Sequence, residues 1–137
     1  MLVDDIATYL TSQVGLTPGT DLFLGTMPDS PDAVVCVYES GGLSPIKAMG
    51  NVAGAAKVER PRIQVVSRGV AFGYEDARAT AHAVFLKLDG LPFRQINGIT
   101  YHWGSALQSP FLMGVDEQGR PSIACNYDIV RQMSTST

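Results

Sequence analysis

Few side chains in this chain are of the kinds that make or break bonds, and those few are scattered. His82 and His102, and Cys36 and Cys125, lie too far apart to show the close ligand spacing of a zinc site. His82 falls on a helical pattern near the border of its apolar stripe and reads as a surface or boundary histidine. His102 stands beside Trp103 in a strand pattern and reads as a packed or hydrogen-bonded ring. Both cysteines sit inside apolar strand patterns, where a thiol behaves as a small hydrophobe; a disulfide between neighbouring strands is the alternative. Asp4 with Asp5, and Glu75 with Asp76, are adjacent pairs, so on a helix their side chains diverge by about 100°. They read as solvated helix starts and not as an acid–base dyad. Ser67 and Ser109 have no base close in sequence. GNVAGAAK at 50–57 has the wrong spacing for GxxxxGK[ST], and no Ser or Thr follows Lys57 to hold magnesium. No GxSxG, HExxH or CxxC occurs. The expectation is no cofactor, no metal and no catalysis.

The elements that would position any site are clearer. VERPRIQVVSR at 58–68 reads as a strand with Ile63 and Val65 on one face and Arg62, Gln64 and Arg68 on the other, Val66 being an apolar exception. A short loop leads to a helix whose Ala77, Ala81, Val84, Phe85 and Leu88 make one apolar stripe. Glu75 and Asp76 in its first turn and Lys87 in its last suit the helix dipole, and Gly90 stops it. Residues 2–14 predict a first helix with Ile6, Leu10 and Val14 in line and Asp4, Asp5, Thr8 and Ser12 facing away. Gly15 and Pro18 end it. A short strand is expected at 21–25, and an interior strand, apolar on both faces, at 33–38.

Residues 40–57, SGGLSPIKAMGNVAGAAK, show no sustained period and read as a long flexible loop that orders against a partner. Asn97-Gly98 between apolar runs predicts a hairpin. DEQG at 116–119 predicts a second, and the last strand alternates through Ile123, Cys125, Tyr127 and Ile129. The fold expected is one α+β domain spanning 1–137, an antiparallel or mixed sheet with two helices mainly on one face. Its other face would carry Arg62, Gln64, Arg68, Asn126 and Asp128, fit for solvent or for a subunit interface.

At 137 residues the chain is long enough to bury roughly two-thirds of its unfolded surface. A net charge of −3 argues against a protein that grips nucleic acid by its phosphates. MLVDDIATYL has two early acids and no basic run, so it does not read as an export signal, and a reducing compartment is expected.

ERPRIQVVSRG at 59–69, YEDARATAHAVFLKLDGL at 74–91, INGITYHW at 96–103, ALQSPFLMGVDEQGRP at 106–121 and IACNYDIVR at 123–131 together resemble the tail terminator (tail completion) proteins of long-tailed bacteriophages, in particular the group labelled minor capsid proteins of bacteriophage. The resemblance covers the C-terminal half; the N-terminal half matches only in layout. It implies a structural protein of the virion, a six-membered ring that caps the tail tube, ends its growth and presents the head-docking surface. Its implied partners are further copies of itself, the tube protein, and a head–tail connector or neck protein, with DNA passing through the lumen unbound. Its place would be the tail–neck junction, after assembly in the host cytoplasm. For the contacts, Gly41, Gly42, Leu43, Lys47, Met49 and Lys57 of the loop are candidates. Arg60, Arg62 and Arg68 are candidates for ion pairs with Asp116, Glu117 or Asp128 of a neighbour, and Arg120 is a further candidate interface residue. Another neck or tail component, such as a head completion protein, shares such folds. A small ligand-binding or enzymatic domain with a site assembled in space is the reading of a different class.

Overall fold

The computed structural model describes residues 2–46 and 58–132, with backbone alone at 43–46. The chain runs α1 (Leu2–Val14), β1 (Leu22–Leu24), β2 (Val34–Ile46), β3 (Val58–Arg68), α2 (Tyr74–Leu88), β4 (Arg94–Ile96), β5 (Ile99–Ala106), β6 (Phe111–Val115) and β7 (Pro121–Gln132). The strands form one mixed sheet in the order β1-β2-β3-β7-β5-β4, with β6 also paired to β7. Among the described strands only β1 and β2 are parallel neighbours. β7 shares one edge between two partners: β5 takes its 127–131 stretch and β6 its 121–124 stretch. The fold is α+β, as the periodicities imply.

Register decides which side chains meet the helices. Across β2, β3 and β7 the rows Val35–Ser67–Ile123, Val37–Val65–Cys125 and Glu39–Ile63–Tyr127 share one face. Ile6 and Leu10 of α1 and Val84 and Leu88 of α2 join Val35, Val37, Ile63, Val65, Tyr127 and Ile129 in the main core. Ala77 and Ala81 pack on Ile123, where small residues let α2 lie close to the sheet. Asn97 and Gly98 both adopt positive φ, the geometry a tight two-residue hairpin demands.

Three expectations are corrected. First, β2 does not end near Tyr38. It continues to Ile46, pairing Ser40 with Arg62, Leu43 with Arg60 and Ile46 with Val58. The register slips between Ser40 and Leu43, and a Cβ on Gly42 would come within 2.5 Å of the Arg60 carbonyl oxygen. A bulge at Gly41-Gly42 therefore breaks the period-2 signal without breaking the strand. The rest of the expected loop, 47–57 with Lys47, Met49 and Lys57, lies outside the described residues.

Second, Asp5 is no solvated helix start: it is 1% exposed. The hydroxyl of Tyr101 donates to its Oδ2 at 2.6 Å, and the amide of Asn97 donates to its Oδ1 at 2.9 Å. Arg131 stands 3.6 Å from the same carboxylate, donates to the Tyr101 oxygen at 3.2 Å, and donates through Nε to Glu59 at 2.7 Å. α1 buries Leu2, Tyr9 and Asp5 as well as the Ile6–Leu10 line, so its buried arc is wider than one stripe. Third, the second face of the sheet is polar only in part. Cys36, Val66 and Ala124 form a buried row on it, which is why Val66 breaks the alternation of β3.

Candidate functional site

The buried end of the second face is closed by the loop between β1 and β2, and two arginines hold that loop. Arg68, at the end of β3, donates to the carbonyl oxygens of Pro28 (2.6 Å), Asp32 (2.8 Å), Pro31 (2.9 Å) and Asp29 (3.4 Å). Arg120, just before β7, donates to Asp116 at 2.7 Å, to the carbonyl oxygen of Asp29 at 2.7 Å, and to the carboxylates of Asp29 and Asp32 at 3.0 and 3.1 Å. A guanidinium is suited to this because its donors lie in a fixed planar fork. Arg68 and Arg120 are 7% and 5% exposed, so both are occupied inside the subunit in place of a neighbour's acids. The Asp116 carboxyl is held below the usual range, first by the backbone N–H of Arg120 and then by its guanidinium.

Arg62 and Asp128, expected to meet partners on another copy, lie opposite each other across β3 and β7 and bond at 2.5 Å. Among the described candidate contacts Asp116, Glu117 and Gly41–Gly42 present exposed surface; Leu43 is placed in β2 by its backbone. Arg60 is half-buried beside Leu43 in the register. What residue-by-residue reasoning missed is the exposed apolar surface. Phe72 is 94% exposed at the tip of the β3–α2 loop and holds φ +61°. Its N–H donates to the Gly119 carbonyl oxygen at 2.9 Å. All of β6 is exposed, with Leu112, Met113 and Val115 showing on a strand that pairs only with β7 among the described residues. At the far end of α2, Leu86 and Phe93 are exposed too. The sequence signal was present in FLMGV, which shows no polar alternation, but nothing local says that its apolar residues stay outside.

The two histidines and two cysteines stand apart among the described residues. Among the described residues no group of three His, Cys, Asp or Glu is placed to hold a metal ion. His82 is exposed and stacks on Phe85 at 6.0 Å, while His102 packs at 5.6 Å against Phe93. Cys36 and Cys125 are free and buried, on opposite faces of the sheet, and burial pushes both thiols up. A cleft of about 170 Å³ between α2 and the β1–β2 end is lined by Leu16, Val34, Val35, Val70 and Ala77. That is smaller than the roughly 300 Å³ at which small-molecule pockets begin. No helix of the described residues is long and apolar enough to cross a membrane.

Arg68 and Arg120 are thus committed within the fold, while large apolar residues stand outward at its edges and corners. Residues 9–132 match the family of bacteriophage tail terminator proteins, and the chain belongs to that family. It is a structural protein of a phage-type tail, and its contacts are with other virion proteins. No curated protein sequence matches it. In fold it is similar to a chain of the virion of a native gene transfer agent particle, with TM-score 0.54 and 19% identity over 90% of this chain and 84% of the other. A second solved protein superposes with TM-score 0.52 and 17% identity over 92% and 94% of the two chains.

Proposed function

We propose that this chain caps the tail tube as a closed ring of six copies, ending tube growth and offering the surface to which the filled head docks. The observation that carries this is the match of 9–132 to tail terminators. The exposed edges support it: a ring needs two different patches per subunit meeting at an angle that closes, and a sheet with open strands β1, β4 and β6 has edges to spare. On this reading the subunit works by shape and self-association, with no bond made or broken and no cofactor. The net charge of −3 suits a lumen through which DNA slides, since dense phosphate contacts would brake it. The β2–β3 hairpin, with Gly41 and Gly42 exposed near its bulge, is the candidate contact with the tube. Electron cryomicroscopy of tails purified from the particle that carries this chain tests the proposal. The expected result is a sixfold ring of this chain at the head-proximal end of the tube. Its presence as isolated single copies, or at another level of the tail, overturns it.

A further inference from the structure

Two exposed apolar corners lie at opposite ends of α2, and they carry opposite charge. At the N-terminal end stand Phe72 and Val115, both exposed. Around them three carboxylates, Asp29, Asp32 and Asp116, share the one guanidinium of Arg120, and the exposed Glu117 and Glu75 add to the excess of acid. At the C-terminal end stand Leu86 and Phe93, the latter 69% exposed. There Lys87 is exposed, and Arg94 lies flat over the Tyr9 ring at 4.8 Å and forms no ion pair among the described residues. Asp89, exposed at the same end, keeps its charge while accepting the Ala106 N–H at 3.0 Å, so the two cations Lys87 and Arg94 outweigh it. The helix between the corners has 15 residues, a separation of about 22 Å.

We propose that neighbouring copies of this chain meet corner to corner, the acidic Phe72 corner of one against the basic Phe93 corner of the next. This rests on the ring reading above and names the surfaces that build it. Each corner has an apolar centre with charged residues around it, the anatomy of a specific interface. Because the two signs differ, a corner repels its own kind and attracts the other, so unlike corners meet, and their placement at opposite ends of α2 allows a head-to-tail contact. Head-to-tail contacts are the kind that close into rings. The backbone of Phe72 points the same way. An aromatic residue at φ +61° is strained where a glycine at the same position would not be, and its ring is 94% exposed, where an anchor for a neighbour belongs.

The test uses tails that carry the native chain, treated with a carbodiimide, which joins an amine to a carboxylate only where they touch. Cross-linked peptides between copies are then identified by mass spectrometry. The expected product joins Lys87 of one copy to Glu117, Asp116 or Glu75 of another. A ring visible on the tails whose links between copies lack this pair overturns the corner contact and leaves the ring standing; tails without any ring of this chain overturn the ring itself. The variant Phe72→Gly adds a second readout. Glycine relaxes the positive φ, so its melting temperature should equal or exceed that of the parent, while rings should be lost from the tails. Rings formed at the parental level by this variant overturn the role of Phe72 as anchor.

Discussion

Arg68 and Arg120 donate to one and the same acceptor, the carbonyl oxygen of Asp29, at 3.4 and 2.7 Å. One reaches it from the end of β3 and the other from the start of β7, so a loop remote from both in sequence is tied to two neighbouring strands. Removing Arg120 leaves the carboxylates of Asp29, Asp32 and Asp116 facing one another without their cation. Arg120→Ala should therefore loosen residues 26–33 before it unfolds the sheet. Limited proteolysis checks this: the variant should be cut in that loop well before the parent. Equal rates would mean that Arg68 alone holds the loop.

The same clamp has a pH dependence with a definite sign. Asp116 is held below its ordinary value of 3.8 in the folded chain, by the Arg120 N–H first and its guanidinium after. A carboxyl lowered on folding stabilises the fold above its unfolded pKa, and the gain is lost as pH falls through the folded one. Asp116→Asn should thus melt below the parent at pH 7, and the difference should shrink to nothing as the pH is taken well under 3.8. A gap that persists in acid would assign the effect to the hydrogen bonds of the turn, with its Gln118 and Arg120 N–H donors, and not to charge.

The buried group around Asp5 should be costly to break. Arg131 stands beside this carboxylate, and it lies 9% exposed between Tyr101 and Glu59. Removing one partner of a buried ion pair costs about 3–5 kcal/mol, since the other charge is left in a dry place. Arg131→Met should lose about that much in denaturant unfolding, while Tyr101→Phe should lose about 1–3 kcal/mol for the hydroxyl alone. If Arg131→Met unfolds at the parental midpoint, water reaches Asp5 and the network contributes little.

These two clusters mark where sequence reading ran out. The strands and helices were legible because Ile63 and Val65, or Ala77, Ala81 and Val84, repeat at periods that only one kind of element satisfies. Arg68 fell on the polar side of β3, which is true of its register, but the loop that buries it arrives from residues 28–32, and no local pattern announces that. Asp5 was misread for a related reason: a stripe is judged against one packing partner, and α1 meets both the sheet and the β4–β5 hairpin. The Gly41-Gly42 bulge hid the length of β2. Deleting residues 42–54 would remove paired backbone at Leu43 and Ile46, and so should cost strand stability as well as any contact with a partner. The surfaces at Phe72 and Phe93 were out of reach because exposure is a property of the assembled sheet.

Alkaline titration offers a check on the core that needs no variant. Burial, followed by the Cys36 thiol, pushes Tyr38 up to about 12. Burial with Asp5 raises Tyr101, and burial with Cys125 raises Tyr127, further still. For a group whose folded pKa is raised, the stabilisation is complete below the unfolded value of 10.0 and is lost as pH climbs through the folded one. Of the five tyrosines, these three should therefore stay protonated in the native chain at pH 11. The tyrosinate absorbance of these three should appear together with loss of the sheet's circular dichroism. A single rise centred near pH 10, with the sheet intact, would show that Tyr101 and Tyr127 are open to solvent and that the core drawn around them is wrong.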